Sequence, residues 1–393
     1  MAKGSKERST WRRLRKNRGA LAGIVIIIIA LLIALLGYMI APDSSSNANR
    51  MIVEIGGQKP GFSMLFLKTP TQREQAQPSF LEKLFFGGKD LYDYTPITSY
   101  NENRDSLVIT QYIDEGLEER KAFLLEKPGI NNPNSGSKIK KAGSQKINSD
   151  SNINLLNNGE RIISEYHIEK IRFHLGTDKY GRDILSRLLI GVRVSLGVGL
   201  ITVIISLSIG VMLGAVAGYY RGWVDELVMW FINVIWSIPT LLLVFAITLV
   251  LGKGFWQIFI AIGLTMWVSV ARIIRGQVLA VREMEYVEAA RALGFTNARI
   301  IVRHVLPNVM GPVIVVAASN FASAIVIEAG LSFLGVGVQP PQPSWGLMIK
   351  ENYNFIITHN PMLALAPGIA IMILVLAFNL LGNGLRDALQ VKD

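Results

Sequence analysis

The chain has 393 residues, of which 50% are hydrophobic, with a formal charge of +11 and no cysteine. Disulfides, thiolate metal sites and a cysteine nucleophile are therefore excluded. The basic excess lies beside apolar runs, at 3–18 and 272–303, which is the positive-inside pattern of a multi-pass membrane protein and not the phosphate-tracking face of a nucleic-acid binder.

Residues 1–19 carry Lys3, Lys6, Arg8, Arg12, Arg13, Arg15, Lys16 and Arg18 against the single acid Glu7, and form a basic cytoplasmic N-terminus. Residues 20–41 are an uninterrupted apolar run, long enough to cross a bilayer as a first transmembrane helix. The run is longer than the apolar region of a signal peptide, and Pro42 follows without a small-residue cleavage pattern, so it is read as uncleaved.

Residues 42–166 are polar, contain no span and are expected outside the membrane. Short β-like runs at 51–55, 64–67 and 107–113, with an aromatic patch at Phe80, Leu84, Phe85 and Phe86, predict a small α/β domain reaching about Leu125. Residues 126–159, rich in Asn, Ser, Lys and Gly, read as a mobile loop, so the insert is expected to be α/β or partly disordered. Residues 165–173 alternate like a strand leading back to the membrane, and 167–193 form the return segment. Within it Asp178 or Asp183 is placed to cap the helix beginning at Ile184. His167 and His174 have no ligand cluster around them, so no metal site is expected.

Residues 194–387 form the core, with five further spans expected at 194–218, 227–251, 255–270, 308–329 and 361–381, followed by a cytoplasmic tail at 388–393. Gly210, Gly214 and Gly218 recur every fourth residue and predict close helix packing. A short cytoplasmic turn is expected at 219–226. The fifth span carries Asn320, Ser323 and Glu328, intramembrane polar groups that are pathway or gate candidates. Glu328 is also expected within pairing reach of Arg182, Arg187 or Arg193. The glycines and prolines of 328–346 predict a compact non-helical loop, with Trp345 as an interfacial anchor. The fold class is an all-α polytopic protein of the cell membrane with six transmembrane helices, both termini cytoplasmic and the 42–166 insert extracytoplasmic.

Between the fourth and fifth spans lies EMEYVEAARALGFTNARIIVRHVLP, residues 283–307, a polar and basic stretch. Its first part, 283–293, is made of good helix formers, with Met284, Val287, Ala290 and Leu293 as a modest apolar face and Gly294 as the breaker. Ala289 and Ala290 let another surface approach the backbone closely, and Glu288 offers a carboxylate to a partner's donor.

This stretch resembles the EAA loop of ABC-importer permeases, with Glu288, Ala289, Ala290, Gly294, Leu306 and Pro307 at the motif's spacing. His304 stands where the general pattern has Ile, and with Leu306-Pro307-Asn308 it narrows the resemblance to the dipeptide, oligopeptide and nickel class. The phrases HLGTDKYGRDILSRLLIGVRVSL at 174–196 and EAGLSFLGVG at 328–337, with Pro340, Pro341, Pro343 and Trp345, resemble the same class. In that family the third span usually carries an Asp, then an Arg and a second Asp three residues on. Here Asp225 is kept, but Trp230 and Asn233 replace the charged pair, a concerted change expected to be neutral.

The resemblance implies a type I ABC-importer permease core for peptides, or alternatively for nickel complexes, coupled to its motor through Glu283, Tyr286, Glu288, Ala289, Ala290, Gly294, Leu306 and Pro307. The implied partners are a second homologous permease subunit, two cytoplasmic ATPase subunits that use ATP and Mg, an extracytoplasmic solute-binding protein and the lipid bilayer. No catalytic residue and no directly bound cofactor are expected, since the chain has no G-x-x-x-x-G-K-[ST] phosphate loop. The 42–166 domain leaves room for a membrane sensor or scaffold, although no cytoplasmic signalling domain is appended. An intramembrane hydrolase finds no general base among the four histidines.

Overall fold

The computed structural model describes residues 11–71, 79–103, 106–125, 161–163, 166–252, 254–358 and 360–389. The chain divides into two compact units, one of Met1–Leu35, Gly191–Lys350 and Leu365–Asp393, the other of Leu36–Ile190 and Glu351–Ala364. Helix α1, Arg18–Ile40, has 23 residues and no charge after its first. Its run of isoleucines would be a poor helix in water, but in hydrocarbon every backbone polar group must be paired internally, and the helix wins.

The second unit is built on one six-stranded sheet. Its elements are β1 (Phe62–Pro70), the short helix α2 (Phe80–Phe86), β2 (Tyr92–Glu102), β3 (Ser106–Asp114), β4 (Leu117–Leu125), β5 (Arg161–Ile163) and β6 (His167–Phe173). The strand order is β5-β4-β3-β2-β1-β6, antiparallel except for β4 with β5. Alternation along β1 sends Leu67 to one face, with Ile97, Leu107, Ile109 and Phe123, and Phe66 to the other, with Phe173, Ile52 and Ile55. Both faces are therefore apolar around the sheet centre.

Three expectations change here. Residues 51–55 are not a strand: Val53–Ile55 is a 3₁₀ turn that lays Ile52 and Ile55 on the sheet. The return strand begins at His167 and pairs with β1, from Phe62 opposite Phe173 to Lys68 opposite His167, so it belongs to the same sheet as the insert. The described insert is thus a largely antiparallel sheet with one short helix. The loop expected at 126–159 lies outside the described residues.

Below the sheet, Asp178 and Asp183 take different tasks. Asp183 caps the next helix by accepting the Ser186 N–H at 2.9 Å, and burial raises its carboxyl above the usual range. Asp178 accepts the N–H of Tyr180 and of Arg182 and pairs with the Arg182 guanidinium at 2.6 Å. Arg182 also reaches Glu351 at 2.6 Å. Arg187, fully buried, lies 3.6 Å from Glu351 and 3.9 Å from Asp178. Two cations face two anions in this group, which offsets their desolvation.

The other unit is helical. The helices that follow the sheet are α3 (Ile184–Tyr220), α4 (Gly222–Trp236), α5 (Thr240–Leu251), α6 (Phe255–Arg282), α7 (Glu285–Ala292), α8 (Asn297–Ile300), α9 (Leu306–Leu334), α10 (Trp345–Asn352), α11 (Phe355–Thr358) and α12 (Met362–Leu389); α11 belongs to the sheet unit, α3, α10 and α12 cross the division, and the rest belong to the helical unit. Among the described residues five helical runs are long and apolar enough to cross a membrane, and six if the bent pair α4 and α5 counts as one.

That pair corrects the expected continuous third span. The chain turns by 92° between Trp236 and Thr240, where Pro239 can neither donate to the helix ladder nor leave room for the carbonyl four residues back. The expected turn at 219–226 shrinks to Arg221, whose φ of 58° separates α3 from α4. Conversely, Pro307 does not break the chain's helix. Residues 297–334 run on as one helical stretch, because a π turn at Ile301–Val305 supplies the extra residue that accommodates the proline ring. Residues 328–334, expected in a loop, are the last two turns of α9, which ends on Gly335 at φ 86°. Trp345 is buried against Gly191 and is not an interfacial anchor.

Candidate coupling site

The expected helix at 283–293 is shorter than its sequence suggests. Glu283 closes α6 as its C-cap, and its carboxylate meets Arg221 at 2.6 Å on an exposed surface. Such a pair contributes at most about 1 kcal/mol. Met284 is extended and starts α7. Glu285 and Glu288 occupy the first turn and Arg291 the last, each favourably placed against the helix dipole.

Only half of the expected apolar face is turned inward. Val287 and Ala290 are buried with Ile274 and Val278 of α6, Ile300, Ile301, Val305 and Val309 of the α8 to α9 run, and Ala215 and Tyr219 of α3. Met284 is 50% exposed and Leu293 74% exposed. Ala290 therefore seats α7 on its own bundle, while Glu288, Ala289, Met284 and Leu293 form the outward surface. A periodicity of apolar residues cannot by itself say which members face the molecule and which face a partner.

Gly294 is required for its backbone. Its φ is +77°, and a Cβ there would meet nothing within 4 Å. The left-handed turn lets the Phe295 N–H reach the Ala290 carbonyl at 3.2 Å, closing α7 in a Schellman arrangement. Phe295 then stacks on His304, with ring centroids 5.9 Å apart, and the Arg299 guanidinium lies over the Phe295 ring, 4.3 Å from its centroid. His304, singled out only as a departure from a pattern, is thus the platform on which the chain after Gly294 rests.

Two polar links complete the seat. Asn308 donates to the Tyr286 hydroxyl at 3.1 Å, and the Tyr219 hydroxyl bonds Asn297 at 3.0 Å. Partial burial raises the Tyr286 phenol above its ordinary value. Leu306 is half-buried against the same core, and Pro307 is exposed. Val287 and Ala290 thus tie α7 to both α6 and α9.

Behind this site Gly210, Gly214 and Gly218 let α3 approach α6 closely. A Cβ on Gly210 would stand 2.8 Å from the Trp267 carbonyl oxygen, on Gly214 2.5 Å from that of Ala271, and on Gly218 2.8 Å from that of Arg275. Arg275 pairs through two nitrogens with Asp225 at 2.5 and 2.6 Å. Arg272 donates to Asn233 at 3.2 Å and lies 3.6 Å over the Trp236 ring. The residue facing position 233 is thus Arg272, a cation that the change at Trp230 and Asn233 leaves in place.

The gate candidates do not form one group. Asn320 is buried, Ser323 is exposed and Glu328 is fully buried. Glu328 accepts from the Ser332 hydroxyl at 2.7 Å, and the same hydroxyl accepts the Val338 N–H at 3.0 Å. The expected arginine partners are engaged differently: Arg182 and Arg187 face Asp178 and Glu351, and Arg193 donates to the carbonyls of Ala34 and Leu35. Glu328 thus fastens the end of α9 to the loop after Gly335. Among the described residues no group of three or more His, Asp or Glu side chains could hold a metal ion.

Residues 210–392 match the family described as binding-protein-dependent transport system inner membrane component, and residues 8–58 match the N-terminal TM domain of oligopeptide transport permease C. The chain is 43% identical over 217 residues to the dipeptide transport system permease protein of Alkalihalophilus pseudofirmus, covering 55% of this chain and 71% of that protein. It is 40% identical over 218 residues to the glutathione transport system permease protein of Pectobacterium atrosepticum, covering 56% and 72%. It is 40% identical over 217 residues to the oligopeptide transport system permease protein of Bacillus subtilis, covering 55% and 71%.

Proposed function

The chain belongs to the family of binding-protein-dependent transport system inner membrane components, and from that premise we propose that it forms half of the translocation pathway of an ATP-driven peptide importer. The names of its relatives support peptides as the solute class. Its partners in this reading are a second permease subunit, two cytoplasmic ATPases that use ATP and Mg, and an extracytoplasmic solute-binding protein.

The topology of this reading has six spans, with α4 and α5 as one broken span. Counting the pair as one keeps Arg12 to Arg18, Arg221, the basic stretch from Arg275 to Arg303 and Arg386 on the same side of the membrane, in agreement with the positive-inside bias. Both termini are then cytoplasmic and the sheet unit is extracytoplasmic. A re-entrant α4 and α5 would place Arg282, Arg299 and Arg303 outside.

The observation that carries the coupling assignment is the two-sidedness of α7. Val287 and Ala290 bind it to α6 and α9, while Glu288 and Ala289 are presented outward. Closure of the ATPase dimer would press on that outer face and rock the attached spans as rigid bodies between outward-open and inward-open states.

The test is co-purification from membranes through a C-terminal tag, with ATPase and uptake assays on wild type and Glu288→Lys. Glu288 is exposed, so the variant is expected to insert normally, lose its ATPases and lose uptake. Unchanged uptake by Glu288→Lys would reject α7 as the coupling element. Uptake of a labelled oligopeptide, compared with a nickel complex in the same vesicles, decides the solute class.

A further inference from the structure

We propose that α2, Phe80–Phe86, is a membrane-surface anchor that lays its aromatic face into the boundary between headgroups and hydrocarbon beside the outer end of α1. Four of its seven residues are large, apolar and exposed: Phe80 at 66%, Leu81 at 62%, Phe85 at 53% and Phe86 at 69%. A solvated surface domain does not gather such residues without a contact to fill them.

The occupant follows from where the helix is tied. Gly87, the residue after α2, lies against the Tyr38 ring, where an added Cβ would stand 2.7 Å from it. The Gly88 N–H donates to the Ser44 carbonyl at 2.7 Å, and the Ser46 N–H donates back to Gly88 at 3.0 Å. Tyr38 lies in the last turn of α1, about 30 Å along the helix from Arg18 at 1.5 Å per residue, which is the thickness of the hydrocarbon core. The C-terminal end of α2 is therefore held at the level where α1 leaves the bilayer. Met39 and Ile40 of that turn are 58% and 56% exposed, so an apolar surface is already present at this depth.

The composition agrees with an interfacial position. Aromatic side chains favour the headgroup level, and the exposed Lys83 and Lys89 can extend their charges toward the headgroups. Glu82 is used locally, accepting the Ser79 N–H at 3.4 Å and closing the first turn. The inference rests on α1 crossing the bilayer and not on what is transported, so a failure of the peptide assignment would leave it standing.

The chain has no cysteine, so each introduced cysteine is unique in this subunit, and the unsubstituted transporter carried through the same labelling measures any background from the partner subunits. Phe80→Cys and Phe86→Cys are each labelled with an environment-sensitive fluorophore in the full transporter reconstituted into nanodiscs, with Glu118→Cys on β4 as the exposed control. Lipids carrying a nitroxide near the headgroup and aqueous iodide serve as the two quenchers. At positions 80 and 86 the lipid nitroxide is expected to quench several-fold more strongly than at 118, and iodide several-fold less. Free quenching by iodide at both positions overturns the anchor. So does shielding from both quenchers, which would mark a protein-covered surface instead. Leu81→Cys supplies a third position, and co-elution of each labelled variant with the ATPases identifies any that fails to assemble.

Discussion

The side-chain amide of Asn308 bridges the Tyr286 hydroxyl at 3.1 Å and the His304 carbonyl at 2.7 Å, joining α7 to the first turn of α9. Replacing Tyr286 by Phe removes that link and leaves the ring. A hydrogen bond of this kind contributes about 1 kcal/mol, roughly fivefold in an equilibrium. Tyr286→Phe is therefore expected to retain its ATPases but to move several-fold less solute per ATP, measured as uptake and hydrolysis in the same proteoliposomes.

Gly294 separates conformational from steric demand, because its φ is +77° and its Cβ position is empty. A β-branched residue there costs about 1–2 kcal/mol or more for the backbone alone, whereas Asn tolerates the left-handed region. Gly294→Val should lose uptake and ATPase co-purification, and Gly294→Asn should keep most of both. Equal loss in the two variants would point to contact with a partner and not to the backbone.

At Gly214 the demand is steric. The Ala271 carbonyl oxygen would lie 2.5 Å from a new Cβ, whereas a Cβ on Gly276 of α6 would meet nothing within 4 Å. Gly214→Leu is expected to destabilise the bundle by about 1–3 kcal/mol, and Gly276→Ala to be neutral or slightly stabilising. Thermal unfolding of the purified subunit in detergent reads the difference directly.

Glu328→Gln keeps an acceptor for the Ser332 hydroxyl while removing a buried charge. If Glu328 fastens α9 to the loop after Gly335, this variant transports normally, and Glu328→Leu loses stability by about 1–3 kcal/mol through the unpaired Ser332 and its neighbours. Loss of uptake in a stably folded Glu328→Gln would instead assign the carboxylate to the pathway.

Asn233→Asp places an anion opposite Arg272, whose Nε is buried without a hydrogen-bond partner. The expected outcome is a higher unfolding temperature with assembly intact. A lower one would mean that the Trp236 ring already satisfies the guanidinium as well as a carboxylate can.

The order of apolar runs, the basic residues between them and the motif around Glu288 were enough to predict a multi-pass permease and a short polar helix closed at Gly294. Those features are local: an unbroken apolar run demands a spanning helix, and Gly294 after helix formers demands a turn. What tertiary structure alone decided were relations between distant residues. Whether Ala290 faces its own bundle or a partner depends on Val305 and Ile274 being beside it. The partner of Glu328 depends on how the loop after Gly335 folds back, and Pro307 is absorbed by a π turn that no residue announces. The sheet shows the same limit, because β1 and β6 are separated by a hundred residues. Alternation marks a strand, but only the buried set of Phe66, Phe173, Ile52 and Ile55 fixes which strand it joins, since packing energy is a property of neighbours in space and not of neighbours in sequence.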